Sequence, residues 1–311
     1  MPPPAASRRY GPPVEHPAAA SLAVRDLLAG PARAGRVVAV FPTCAYADIA
    51  GVLVALETHD ALRLPCAVVL SARRADSPLA EVRVGDAVFS GARELRLGSV
   101  AVRVTRWWPP ARPRAAARIF STSSTPSVSL TQPVLPAPPS STVRVTDGAG
   151  RHPPAGWDSL ALRLLGAGPG LTPAGDDVLA GLLLGLAAYP ELRDPLAAAV
   201  LHQAPSRTTW LSAELLRHAA DGHGIPAAVA VADALAGPGT GQTLDSDSDS
   251  DNDNDRFTGG GRDSNLDAAV VRLLAVGHTS GRALAQGLLL AAETVARRRS
   301  HPVDRRQGVA A

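Results

Sequence analysis

The sequence contains no lysine, and all 31 of its basic residues are arginine. Without a lysine amine the chain cannot form a Schiff base with a substrate, anchor pyridoxal phosphate or supply the lysine of a Walker phosphate loop. Cysteine is almost as scarce: the chain has only Cys44 and Cys66, too few for a disulfide scaffold or a thiolate zinc site. These absences exclude pyridoxal-phosphate chemistry and thiolate zinc folds.

The chain also lacks a strong charge imbalance and a long hydrophobic run. Its formal net charge of +3 is small for 311 residues, and its arginines are scattered rather than gathered into the basic patch of a nucleic-acid-binding protein. The longest apolar run, residues 178–189, is shorter than the roughly 20 residues that span a bilayer. The stretch "MPPPAASRRYGPP" at the start has no apolar signal-peptide core. We therefore expect a cytoplasmic protein with no nucleic-acid or membrane partner.

A hydrophobic content of 46% suffices for the cores of two modest domains. The residue patterns along the chain predict an α+β protein. Residues 1–34 are rich in proline and alanine and are predicted to be loose. Residues 35–108 contain short valine-rich runs broken by Gly, Pro and Asp, which predict a small antiparallel β domain. Residues 109–142 are predicted to be a Pro/Ser-rich linker, residues 143–300 a mainly α-helical bundle, and residues 301–311 a tail.

One acidic segment interrupts the helical pattern, at residues 240–262. From residue 245 it carries Asp at every second position, as in a calcium-binding loop. No register, however, places Gly sixth and Glu twelfth, as such a loop requires. The segment is therefore predicted to be a solvated, disordered insert.

The stretch "GAGPGLTPAGDD", residues 166–177, resembles two phosphate-binding loops and matches neither. It has the glycine spacing of a Walker loop, but Asp176 and Asp177 stand where lysine and serine or threonine belong. It also begins like a dinucleotide fingerprint, but the third glycine would fall on Leu171. We therefore expect neither NAD nor a flavin.

The same stretch predicts the start of a buried helix. Thr172 has the character of an N-cap with proline at the first helical position, and the helix is predicted to run to about Tyr189. Asp176 and Asp177 then lie near its start. Since the helix is apolar on every face, paired carboxylates there are costly unless something binds them, which favours a binding site. The alternative is that they only complement the helix dipole.

Two further helix starts carry small polar side chains. In "SRTTWLSAELL", residues 206–216, Thr208 or Thr209 caps a helix and Ser212 lies one turn on. In "VGHTSGRALAQGLLL", residues 276–290, a glycine turn carries His278 before another apolar helix. Taken alone, ordinary capping explains the hydroxyl groups, and a catalytic and a structural role remain open for His278.

Together, the three helix starts predict an anion site if they converge, because helix N-termini present unpaired N–H groups and a positive dipole end. Since two carboxylates would repel phosphate, a bridging Mg²⁺ is the expected cofactor. The predicted substrate or anion-binding residues are Gly168, Gly170, Leu171, Thr172, Gly175, Thr208, Thr209, Ser212, Thr279 and Ser280, the candidate catalytic residues are His278 and Asp176, and the candidate metal ligands are Asp176 and Asp177.

The motifs "GAGPGLTPAGDDVLAGLLLGL", "TTWLSAELLRHAADG" and "LLAVGHTSGRALAQGLLL" occur in the order found in the AllH family. The resemblance covers about residues 156–296 without the acidic insert. It implies a subunit of oxamate carbamoyltransferase that works with FdrA-type partners in allantoin degradation, where oxalurate and phosphate become oxamate and carbamoyl phosphate. The chain would then be a transferase subunit acting on a small anionic substrate, or a non-catalytic binding or scaffolding subunit.

Two positions depart from the family pattern. Ala174 stands where the family usually has serine, and Val178 where it has an aromatic residue. A hydroxyl ligand is thus lost at position 174, which leaves open whether substrate and partner are the same.

Overall fold

The computed structural model describes residues 15–114, 156–236 and 260–300, and the chain divides into two compact units at residues 111 and 112. The first unit is a β-barrel and the second is helical. The α+β class is therefore confirmed. The predicted tail at 301–311, the first fourteen residues and most of the predicted 109–142 linker lie outside the described residues.

The first unit is a closed barrel of eight strands whose order around the wall is β1-β5-β4-β3-β2-β6-β7-β8. The strands are β1 (Glu15–Ser21), β2 (Arg33–Phe41), β3 (Cys44–Ile49), β4 (Val52–Glu57), β5 (Ala67–Leu70), β6 (Ala87–Gly91), β7 (Glu94–Leu97) and β8 (Val100–Trp108), with a short helix α1 (Arg25–Ala29) after β1. Burial alternates along β8, where Val102 and Val104 face the core and Arg103 is exposed. The barrel interior is therefore filled by branched aliphatic side chains.

The prediction of a purely antiparallel domain is wrong, because the barrel is mixed. β1 runs parallel to β8, and β4 runs parallel to β5. The prediction that residues 1–34 are loose also fails for β1 and α1. The sequence of β1, "EHPAAAS", lacks the valine pattern of a strand, and it becomes one because β5 and β8 supply hydrogen-bonding partners on its two sides.

The second unit contains seven helices within the described ranges. They are α2 (Trp157–Leu164), α3 (Ala174–Gly185), α4 (Pro190–Arg207), α5 (Trp210–Ala220), α6 (Pro226–Ala236), α7 (Gly260–Leu274) and α8 (Ser280–Ser300). The acidic insert predicted at 240–262 lies outside the described residues except at its end, where α7 begins at Gly260. No helix in the described parts of the chain has the length and apolar character needed to cross a membrane.

Helix α3 lies at the centre of this unit and packs most closely on α8. Most of its 12 residues are buried. A Cβ atom on Gly181 would overlap the Leu284 carbonyl of α8, and one on Gly287 would overlap the Val178 carbonyl of α3. The two backbones are therefore in direct contact, as the glycines of α3 suggest. This contact places the starts of α3 and α8 in one region.

The start of α3 differs from the prediction by one residue. Pro173 occupies the N-cap position and the helix begins at Ala174, so Thr172 lies outside it. The helix ends at Gly185 rather than near Tyr189, because the chain turns before α4 begins at Pro190. Asp176 and Asp177 remain in the first turn.

Candidate functional site

Asp176 joins the first helix start to the second. Its Oδ1 accepts a hydrogen bond from the Gly166 N–H at 2.9 Å, and its Oδ2 accepts from the Ser212 hydroxyl at 2.7 Å and from the Thr208 hydroxyl. The side chain comes from the first turn of α3, while Thr208 and Ser212 lie at the junction of α4 and α5. One carboxylate therefore fixes the glycine turn, α3 and the start of α5 relative to one another.

The surroundings of Asp176 suit an anchor better than a reactive group. The residue is 1% exposed, and both of its oxygens already accept hydrogen bonds. Burying a carboxylate is costly unless hydrogen bonds replace its hydration, and three donors do so here. As a candidate catalyst or metal ligand, Asp176 would first have to give up one of these donors.

Asp177 faces the third helix start. The Ser280 side chain, at the beginning of α8, hydrogen-bonds to the carboxyl group, and burial raises the pKa of Asp177 from 3.8 to about 7. The neighbouring Asp176 carboxylate raises this pKa further, whereas the Ser280 bond opposes the shift. Among the described residues, the Oδ2 atom of Asp177 is buried without a hydrogen-bond partner. The two adjacent carboxyl groups therefore differ: one is saturated with donors, and the other titrates near neutral pH.

The glycine turn before α3 is explained mostly by packing. Gly166 and Gly168 have φ values of 74° and 114°, and a Cβ on Gly166 would overlap the Arg207 carbonyl. Gly175 is equally close to the Leu164 carbonyl, and its N–H donates to the Ala167 carbonyl at 2.8 Å. The N–H of Gly175, a predicted anion donor, is therefore already used within the chain.

The exposed part of the turn is Gly170 and Leu171. Gly170 has φ 99° and open space around the position of a Cβ, and the Leu171 side chain is 44% exposed. The Thr209 hydroxyl donates to the Leu171 carbonyl at 2.5 Å and accepts from the Ser212 N–H at 3.1 Å. Thr209 is thus the N-cap of α5 and also ties down this turn, while Thr172 beside it is half-buried.

His278 and Thr279 lie in the turn between α7 and α8, and both are exposed. Gly277 before them has φ 56°, a left-handed conformation that glycine adopts without strain. The first turn of α8 contains no acidic residue and carries the exposed Arg282. The first turn of α8 therefore carries an arginine and no carboxylate of its own, while the Asp177 carboxyl group of α3 faces it at Ser280.

Few side chains in this region could coordinate a metal ion. Across the described residues, no three His, Cys, Asp or Glu side chains lie close enough together to hold a metal ion. The candidate ligands at the start of α3 are two carboxylates, and Asp176 is already engaged by three donors. Of the two carboxylates, Asp177 is the one with an oxygen, Oδ2, that accepts no hydrogen bond from the described residues.

Residues 164–248 match the family model of oxamate carbamoyltransferase subunit AllH. The AllH match confirms the resemblance and contains the first two helix starts, including Asp176, Thr208 and Ser212, while the third lies beyond it. Searches of curated proteins and of solved structures found no match.

Sequence reasoning missed an ionisable residue in the barrel. Glu57, at the end of β4, is 1% exposed, and burial raises its pKa from 4.5 to about 7. Its Oε1 accepts from the Leu64 N–H at 3.1 Å, and its Oε2 has no hydrogen-bond partner among the described residues. A glutamate that closes an apolar run, as in "VLVALE", was the available signal.

Proposed function

We propose that this chain is a subunit of a carbamoyltransferase-like complex resembling oxamate carbamoyltransferase of allantoin catabolism. The complex would convert oxalurate and phosphate into oxamate and carbamoyl phosphate. The observation that carries the proposal is the AllH match over residues 164–248, because it falls on the segment in which Asp176 joins two of the helix starts. FdrA-type subunits are the partners we propose.

The anion site of this proposal lies at the start of α8. Helix N-termini attract anions through their N–H groups and dipole, and α8 has no carboxylate in its first turn, whereas α3 has two. His278, Thr279 and Arg282 are exposed there. They would contact phosphate or the carboxylate of oxamate, and the glycine turn with Leu171 would form the opposite wall.

Asp177 is the residue we propose for proton transfer. A phosphate oxygen forms a bond to the ureido carbonyl carbon of oxalurate, the bond from that carbon to the oxamate nitrogen breaks, and the departing nitrogen takes up a proton. A general acid works best when its pKa is close to the operating pH. Burial holds the pKa of Asp177 at about 7, so the carboxyl group is partly protonated at neutral pH. His278 is the second candidate for this step.

Mg²⁺ is the alternative to proton transfer by Asp177, because a carboxylate that holds the ion is ionised and cannot donate a proton; His278 would then be the candidate proton donor. The ion is usually held in proteins by one or two carboxylates, water molecules and substrate phosphate oxygens. Because Asp176 already accepts three hydrogen bonds, Asp177 would be the carboxylate that holds Mg²⁺. The ion would offset the repulsion between this carboxylate and phosphate.

A non-catalytic binding or scaffolding role is the second candidate. It is favoured by the position of Asp177, whose Oδ2 is buried in the described structure. In that case the chain would bind the anion or an FdrA-type partner, and the partner would supply the reacting groups.

The test is to measure carbamoyl phosphate formed from oxalurate and phosphate, with the chain alone and together with FdrA-type subunits. Asp177→Asn should lower kcat at least about tenfold with little change in KM if Asp177 transfers the proton. Arg282→Gln should raise the KM for phosphate, while Arg298→Gln, an exposed arginine further along α8, serves as its control. Full activity of the Asp177→Asn complex would favour the scaffolding role, and turnover by the isolated wild-type chain would exclude it.

A further inference from the structure

The barrel contains a cavity that belongs to the first unit alone. Its volume is about 410 Å³, and it is lined by the backbone and side chains of β1, β5 and β8 and by the loop that follows β4. Ligand-binding pockets usually measure roughly 300–1,000 Å³. The cavity is therefore large enough for a metabolite and too large for a lone phosphate ion to fill.

The polar lining of this cavity is basic. Arg63, Arg106 and His59 contribute to it, and none of the described residues that line it is acidic. Among the described residues neither arginine forms an ion pair; the ion pairs of the barrel are those of Arg103 with Glu15 and Glu94. The lining therefore combines two arginines that form no ion pair with the described residues and a concave surface, which favours an anion. The buried Glu57, whose pKa the charge of Arg63 lowers, lies outside this lining.

Tryptophan rings hold several arginines at this end of the barrel. The Arg63 guanidinium lies over the Trp108 ring at 5.8 Å, and those of Arg25 and Arg93 lie over the Trp107 ring at 6.0 and 5.8 Å. Arg93 also donates in-plane N–H groups to the Val104 and Thr105 carbonyls. At Arg63, stacking uses the face of the guanidinium and leaves its in-plane N–H groups available. An arginine held in this way is prearranged for a two-point contact with a carboxylate or phosphate.

The backbone conformation of Arg63 is also unusual for a residue with a side chain. Its φ of 58° lies in the left-handed region, where glycine is the usual residue and a side chain costs roughly 1 kcal/mol. Local conformation alone would favour glycine here. The arginine side chain at this position covers Trp108 and lines the cavity.

We propose that this cavity binds a small molecule that carries a phosphate or carboxylate group, held by Arg63 and Arg106, and whose apolar part contacts Val69 and Leu70. Both parts follow from the lining, which contains the two arginines together with the aliphatic side chains of Val69 and Leu70 and the indole rings of Trp107 and Trp108. All the residues that line this cavity belong to the first unit.

The test is titration of the full chain by calorimetry and by tryptophan fluorescence with three probes: inorganic phosphate, phenyl phosphate and benzoate. Phenyl phosphate should bind more tightly than inorganic phosphate because its ring fills the apolar part of the cavity, and benzoate distinguishes a carboxylate from a phosphate preference. Arg63→Gln and Arg106→Gln should each weaken binding about tenfold or more, since each removes a charge-assisted contact.

Arg96→Gln is the matched control, because Arg96 is an exposed arginine on β7 that does not line the cavity. Thermal melts establish that each variant is folded, and if one cavity variant fails to fold, the other decides the test. A loss in a folded cavity variant that Arg96→Gln does not share supports the proposal. The absence of saturable binding for all three probes, or an equal loss in Arg96→Gln, overturns it.

Discussion

Replacing Asp177 by asparagine should make the protein more stable at pH 8 and leave its stability nearly unchanged at pH 4. The pKa of Asp177 is about 7 in the folded protein against 3.8 for an exposed aspartate, so the folded state holds its proton more tightly than the unfolded state. The stability that this proton contributes is complete below pH 3.8 and is lost as the pH rises through 7. Asparagine does not titrate and avoids this loss, because it keeps an amide oxygen for the Ser280 bond.

The size of the effect follows from the shift itself. A pKa raised from 3.8 to about 7 corresponds to a difference of up to about 4 kcal/mol between the two ends of the pH range. The effect is measured by urea denaturation of wild type and variant at pH 4, 6 and 8. The gain from Asp177→Asn should grow steadily across this series.

The control for this experiment is Asp158→Asn. Asp158 also lies in the first turn of a helix, but it is exposed, and its removal should cost less than about 1 kcal/mol through the helix dipole. If Asp177→Asn behaves like Asp158→Asn, or if it loses stability at pH 8, the carboxyl group is ionised without penalty and its proposed role as a proton donor fails.

Three further substitutions test the packing and the electrostatics of each unit. Asp176→Ala should destabilise the protein by about 3 kcal/mol in urea denaturation, because it leaves one buried and two partly buried donors without an acceptor; a loss below about 1 kcal/mol would show that water replaces the carboxylate. Gly181→Ala should lower the free energy of unfolding by about 2 kcal/mol or more, since the alanine methyl group would overlap the Leu284 carbonyl and push α3 away from α8. A gain in stability, as the higher helix propensity of alanine alone would give, would contradict that contact. Glu57→Gln should raise the melting temperature at pH 8 more than at pH 5, because burial raises the pKa of Glu57 to about 7; equal melting temperature changes at the two pH values would refute this explanation.

The helical unit could be predicted from the sequence because its signals are local. Apolar periodicity and the turns between segments place α3, α5 and α8 within a few residues of their observed positions. The hydroxyl and carboxyl residues at their starts mark where they meet. The pairing itself could not be predicted: the choice of Asp176 for the α5 start and Asp177 for the α8 start depends on the direction of each side chain around α3.

The barrel was harder to predict because its pattern depends on contacts between distant segments. Valine-rich runs identify most of its strands, but alternation along one strand says nothing about which strand lies beside it. The two parallel pairs and the alanine-rich β1 arise from closure of the sheet. The cavity lined by Arg63 and Arg106 has the same origin, since these residues are more than forty positions apart in the chain.

The pairing of β1 with β8 also constrains how the barrel is made in the cell. The hydrogen bonds between these strands join residues 87 to 89 positions apart. β5 is made earlier and pairs with one edge of β1, but the other edge has no partner until β8 leaves the ribosome. At roughly 5–20 residues per second, translation alone imposes a wait of about 4 to 18 seconds. During that time an alanine-rich segment with low strand propensity is less prone to pair with neighbouring chains than a valine-rich one would be. We therefore expect the weak strand signal of β1 to lower the tendency of the nascent chain to aggregate until β8 emerges and the barrel closes.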